Sequence, residues 1–156
     1  MSQFDLHNYV KTYPALTIQT INSNTATNGA IIDTQYFESL ELVILSGTIT
    51  DGTYVPSIYE SDDSGMAGAT AITSDFLIGT TNVVEPTPSY GTTVVDPIGD
   101  ATFTGADDNK TARIGVLNKK RYVRLTLTST VVTTGGVLSA VAVLSHPHHV
   151  STAKDK

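Results

Sequence analysis

The sequence contains no cysteine and no tryptophan, and only 15% of its 156 residues are charged. Without cysteine there is no disulfide framework, no thiolate zinc site and no cysteine nucleophile, and sulfur usage says nothing about redox compartment. Seven tyrosines and no tryptophan weigh mildly against a sugar-stacking face. No run approaches the ~18 apolar residues of a membrane helix. The opening MSQFDLHNYVK has neither a basic n-region nor an apolar h-region, so a soluble chain without an export signal is expected. Apolar residues spaced i, i+3, i+4, i+7 are nowhere sustained without Gly, Pro or Thr interruption, which excludes a long amphipathic helix. Low charge also argues against disorder, because 40% hydrophobic residues suffice for a core. A chain of this length fits one domain that buries about 68–70% of its unfolded surface.

What is abundant is β-branching. Thr, Val and Ile number 25, 15 and 11, side chains stiff at χ1 and suited to a pleated surface. The clearest period-two run is RYVRLTLT, with Arg121, Val123, Leu125 and Leu127 on the inward face and Tyr122, Arg124, Thr126 and Thr128 opposite. TARIGVL places Ala112, Ile114 and Val116 on one side, and the short link Asn118-Lys119-Lys120 suggests that these two strands form an antiparallel hairpin. SLELVILS is apolar on both faces apart from Glu41, and Asp51-Gly52 after it predicts a hairpin to TYVPSIYES. Pro56 cannot donate to a ladder, so that second strand lies at an edge or carries a bulge. With LTIQTI, GAIID and GVLSAVAVLS there are six or seven strands at short spacing. The expected fold is all-β, an antiparallel β-sandwich of jelly-roll-like form.

No repeat of 20–50 residues is present, and the Pro- and Gly-rich stretch from Gly79 to Asp108 reads as long connections. The expected organisation is an N-terminal arm over residues 1–13, a single sandwich domain over 14–147 and a flexible C-terminal tail over 148–156. Charge is uneven along the chain. Residues 1–108 hold one basic and 14 acidic groups, whereas residues 109–156 hold eight basic and one acidic. A sheet fold interleaves early and late strands, so this need not create a spatial dipole. A net charge of −6 and a pI near 4.9 disfavour nucleic acid as a partner.

Candidate chemistry is sparse. His146, His148 and His149 are metal-ligand types, but Pro147 keeps the stretch extended near a surface end, and an unligated segment is the simpler reading. Glu60, Asp62 and Asp63, and separately Asp107 and Asp108, lack the D-x-[DN]-x-[DN]-G spacing of a calcium loop. They sit where Asx-turns are expected. Tyr54, Tyr59 and Tyr90 are the tyrosines placed for a glycan, though half-buried sheet tyrosines are commoner. No G-x-S-x-G elbow, phosphate loop, dinucleotide fingerprint or H-E-x-x-H is present. No enzymatic activity, cofactor or metal is expected.

Four stretches, NGAIIDT (28–34), YESDDSGMAGA (59–69), KKRYVRL (119–125) and AVLSHP (142–147), resemble those of a family of small structural proteins encoded in tailed-bacteriophage head modules. The resemblance spans about Ala15 to Pro147. It implies a virion component, made in the host bacterial cytoplasm and located on the capsid surface, whose most fitting role is a capsid decoration (cement) protein bridging major capsid protein subunits. A head-completion or tail component, and a virion surface glycan-binding or adhesion module, remain the alternatives. Neither nucleic acid nor membrane is an expected partner. Phe4, Leu6, Tyr9 and Val10 form an apolar set outside any strand pattern and are the candidate capsid contact. The strand from Gly136 to Ser145 is apolar on both faces, so one face needs cover from another subunit. Leu138, Ala140 and Leu144 are the candidate interface of a homo-oligomer, a homotrimer before a homodimer.

Overall fold

The β-branched stretches form strands along more than half of the described chain, residues 6–80 and 97–148 of a computed structural model. In order these are β1 (Val10–Ile21), β2 (Ala26–Asp33), β3 (Phe37–Ile49), β4 (Thr53–Ser61), β5 (Thr70–Ala71), β6 (Leu77–Thr80), β7 (Phe103–Thr104), β8 (Thr111–Val116), β9 (Tyr122–Thr130) and β10 (Gly136–Pro147). Single helical turns occur at α1 (Leu6–Tyr9) and α2 (Pro97–Asp100), with a 3₁₀ turn over Ser74–Phe76. All strand pairings are antiparallel. One sheet runs β1-β10-β3-β8-β6 and the other β2-β9-β4-β5, with β7 also beside β4.

The pairing is nested: β1 with β10, β2 with β9 and β3 with β8. A long hairpin rolled on itself in this way is a jelly roll, and successive strands along the roll then alternate between the two sheets. This overturns both expected hairpins. The strand TARIGVL, now β8, pairs with β3 and β6, whereas RYVRLTLT, now β9, pairs with β2 and β4. Asp51-Gly52 likewise joins β3 in one sheet to β4 in the other, with Gly52 at φ 95° making the corner. The physical reason is burial. Each strand carries one apolar face that must meet the opposite sheet, and pairing the two strands of each link within one sheet would not place those faces against each other.

The inward faces form one core. Leu40, Leu42 and Ile44 of β3, Ala112, Ile114 and Val116 of β8, and Leu138, Ala140, Ala142 and Leu144 of β10 belong to the same buried cluster as Val123, Leu125 and Leu127 of β9 and Tyr54 and Ile58 of β4. The expected inward face of β9 therefore holds for its three aliphatic residues, while Arg121 lies outside at the strand's start. Pro56 pairs with Leu127 on one side of β4, and on the other it falls between the short stretches paired with β7 and β5. That free edge needs no donor from it. Gly29 is fixed by close approach, because a Cβ there would overlap the carbonyl oxygen of Ala15 where β1 and β2 cross.

At the N-terminus the structure corrects the expected boundary. β1 begins at Val10 and pairs Val10–Pro14 with Ser145–Val141, and Tyr13 packs against the core. Residues 10–13 are thus part of the sheet and not of an arm. Within the long connection expected between Gly79 and Asp108, β6 extends to Thr80 and α2 and β7 occupy Pro97–Asp100 and Phe103–Thr104; residues 81–96 lie outside the described residues, as does Tyr90.

Leu125 is 1% exposed, so Leu125→Asp places a carboxyl group where no partner exists. The expected loss is at least about 4 kcal/mol, a large fraction of the stability of a domain of this size. Thermal unfolding followed by circular dichroism checks this. A soluble variant with unchanged melting would place β9 the other way round.

Candidate functional site

The rolled topology gathers the four family-like stretches at one end of the sandwich. NGAIIDT ends in the 34–36 turn, YESDDSGMAGA forms the loop after β4, KKRYVRL begins in the crossing between β8 and β9, and AVLSHP closes β10. Distant in sequence, the first three are joined here by specific bonds. Glu60, only 9% exposed, accepts at Oε2 from the backbone N–H groups of Lys119 at 2.7 Å and Lys120 at 3.2 Å. Asn118 Nδ2 donates to Thr34 Oγ1 and to the Lys120 carbonyl, and the Arg121 carbonyl accepts from both the Thr34 hydroxyl and the Thr34 N–H. These bonds satisfy the turning backbone of residues 117–121, which no ladder serves.

An ion pair clamps the same crossing from outside. Arg121 Nε and Nη2 donate to Asp33 Oδ1 and Oδ2 at 2.8 and 2.7 Å, a two-pronged geometry that a lysine could not reproduce. The Arg121 hydrogen bond, together with a backbone bond from Gln35, holds the Asp33 carboxyl below its usual range despite the opposing effect of partial burial. The guanidinium also lies 4.9 Å from the centroid of the Tyr122 ring. Tyr36, 63% exposed, takes a positive φ of 75° in the neighbouring turn. Its carbonyl accepts from the His148 N–H at 2.8 Å.

Beside Glu60 lies a cavity of about 160 Å³ lined by Glu60, Ala71, Ile72, Thr73, Phe76, Leu117 and Lys119. The Lys119 ammonium sits 3.7 Å from the centroid of the Phe76 ring. This cavity is below the ~300 Å³ floor of ordinary small-molecule sites, and suits a single side chain. Its lining comes from the ends of both sheets, so no local sequence signal marks it. Glu60 stood out in the sequence only as a turn carboxylate, and Phe76 not at all.

Among the other acidic turn candidates, Asp63 and Asp107 serve their own loops and Asp108 reaches the end of β3. Asp63 Oδ1 accepts from the N–H groups of Gly65 and Ala67, and Asp107 accepts from Thr104 and Lys110. Asp108 Oδ1 accepts from Ile49 N–H. His146 Nδ1 meets the hydroxyls of Ser39 and Ser145 at 2.8 and 3.1 Å. His148 lies 3.9 Å from Glu38, and His149 lies outside the described residues. Tyr54 is fully buried, its hydroxyl donating to backbone carbonyls of Ile21 and Asp51, whereas Tyr59 stays half-buried on the outer face of β4.

Of the expected capsid-contact set, Phe4 lies outside the described residues. Leu6 and Tyr9 belong to α1, with Tyr9 47% exposed, and half-buried Val10 opens β1. The expected oligomer interface needs correction. Leu138, Ala140 and Leu144 are 0–1% exposed, facing the opposite sheet and unable to meet a second subunit. The outward residues of β10 are Val137, Ser139, Val141 and Val143, all half-buried. Both faces were legible as apolar. Only burial separates them, since Leu138, Ala140, Ala142 and Leu144 belong to the core shared with the opposite sheet.

No protein-family model matches the chain, and comparison with curated proteins found no match. Among solved structures, the SPBc2 prophage-derived protein YomS is similar at 12% identity with a TM-score of 0.41, over 88% of this chain and 95% of that one.

The clamp generates a pH prediction. A carboxyl held below its unfolded value adds stability that is present above the unfolded pKa and lost as pH falls through the folded one. The pair is nearly half exposed, so solvent screens it and its contribution is small. Melting of the native chain minus that of Asp33→Asn should be a positive difference, constant above about pH 5, that shrinks as pH falls below about 4. A difference independent of pH would show that Asp33 acts through packing alone.

Proposed function

We propose that the chain is a capsid decoration protein, which performs no reaction and stabilises a phage head by bridging neighbouring major capsid subunits as a homo-oligomer, a trimer by preference. The observation that carries this is the outer face of the β1-β10-β3-β8-β6 sheet. Val141 pairs with Val43, Ser139 with Leu45, and Val143 with Glu41 across the β10–β3 ladder, and on the next strands Ile78 lies beside Gly115. Leu45 and Ile78 are 38% and 60% exposed. A central pair of strands with aliphatic residues on the solvent side is suited to cover by another subunit.

Three further features support the reading. The family-like stretches build corners and strands and form no constellation of nucleophile, base and oxyanion donors. Jelly rolls are widespread in capsid and lectin domains, though a fold does not by itself assign a function. An oligomer also carries several copies of the motif-bearing end, and linked weak contacts raise effective concentration and residence time. Location on the virion surface, with the major capsid protein as partner and neither nucleic acid nor membrane involved, follows from this role.

The test is Val141→Lys combined with Val143→Lys, the second placed opposite Glu41. Both side chains point outward, so the fold should persist with a stability change within about 1 kcal/mol. Light scattering should report a monomer, and particles assembled with the variant should carry far fewer copies. A reconstruction of native particles should show density of this size distributed over the shell. An unchanged oligomer would remove this face from the interface, and density confined to the tail vertex would make the protein a head-completion component.

A further inference from the structure

We infer that the cavity beside Glu60 is a receptor for an arginine side chain presented by a partner protein, and that the Lys119 ammonium rests on its Phe76 wall in the isolated chain. Glu60 is 9% exposed, and only its Oε2 accepts hydrogen bonds among the described residues, both from backbone N–H groups. Its Oε1 has no partner there, and no cation forms an ion pair with Glu60 among them. A carboxylate so enclosed and half-bonded, lining an open cavity, favours a positively charged donor.

The second wall supplies the matching surface. Phe76 presents a ring face on which a cation already rests, the Lys119 ammonium at 3.7 Å from the centroid. Lys119 is exposed and also lacks a carboxylate partner among the described residues, so little holds it except the ring. Ile72, Ala71 and Leu117 complete an apolar rim suited to a methylene stem. A guanidinium fits this pairing of ring and carboxylate better than an ammonium, since it is less strongly hydrated, stacks flat on an aromatic face and presents N–H donors at its edge. An anion is disfavoured by Glu60, and the volume of about 160 Å³ limits the occupant to one side chain. This inference does not depend on the decoration reading; any partner displaying an exposed arginine would satisfy it.

The experiment is a titration of the full chain with Nα-acetyl-arginine N-methylamide, followed by two-dimensional ¹H–¹⁵N and aromatic ¹H–¹³C NMR. The Lys119 and Lys120 amides, bonded to Glu60, and the Phe76 ring protons should shift together and saturate. Butylamine, a free amine without the guanidinium plane, should bind more weakly, and Nα-acetyl-glutamate N-methylamide should leave those signals in place. Lys119→Ala removes the resident cation and should tighten arginine binding by about two- to fivefold. Phe76→Leu, which keeps the apolar wall, should weaken it by a similar factor. Glu60→Gln should abolish saturation; because it also alters a bond to the crossing, its fold is checked by the same spectrum. Absence of saturable shifts, equal response to the glutamate derivative, or unchanged or weaker binding in Lys119→Ala would each overturn the inference. Butylamine binding as tightly as the arginine derivative would overturn the assignment to an arginine side chain.

Discussion

Each strand here has one face that must be buried, and the two sheets can bury those faces only against each other. The nested pairing of β1 with β10, β2 with β9 and β3 with β8 meets this requirement by sending the chain across the sandwich at almost every corner. Crossings cannot use a ladder, so their backbone donors need side-chain acceptors. Acidic residues supply many of them. Asp51 accepts from the N–H groups of Thr133, Thr134 and Gly135 at one end, bonds that hold its carboxyl below the usual range. Glu60 does the same for Lys119 and Lys120 at the other.

The separation of acidic and basic residues along the sequence is resolved by the same topology. Asp33 of β2 meets Arg121 at the start of β9, and Glu41 of β3 meets Arg113 of β8. Because early strands pair with late ones, the acidic first part of the chain and the basic later part interleave within each sheet. These pairs are largely exposed, so they contribute little to net stability. Their effect is on register, since opposite charges on neighbouring strands favour one alignment over its neighbours.

Much of the fold was legible because burial is written into alternation. Val123, Leu125 and Leu127 face the core as their period-two spacing requires, and so do Ala112, Ile114 and Val116. Partners were not legible. Asp51-Gly52 and Asn118-Lys119-Lys120 report that the chain reverses, but a reversal within a sheet and a crossing between sheets use the same turn chemistry. The interface face of β10 was misassigned for a related reason: Leu138 and Val141 are both aliphatic, and only the distant sheet that packs on Leu138 separates them. The site lay further out of reach, since Glu60, Phe76 and Lys119 meet through three long-range approaches that no window of sequence contains.

The two outer faces of the sandwich differ in polarity. The β10 face carries Val43, Leu45, Val141 and Val143, whereas the opposite sheet turns Thr126, Thr128, Tyr122 and Arg124 of β9 outward with Ser57 and Tyr59 of β4. Thr126 bonds Asn28 across that polar face, and Arg124 lies across from Ile31 and Tyr59. The first face, although it also bears the Glu41–Arg113 pair, has the larger aliphatic share to gain from cover; covering the second would desolvate hydroxyls and a guanidinium with less aliphatic surface to offset it. The corner end bearing Glu60, Asp33 and residues 117–121 lies at the strand termini, off both faces. In the proposed homo-oligomer, a subunit joined to its copies through the β10 face would keep that end free for a different partner, and simultaneous use of two separate surfaces is the geometric condition for bridging.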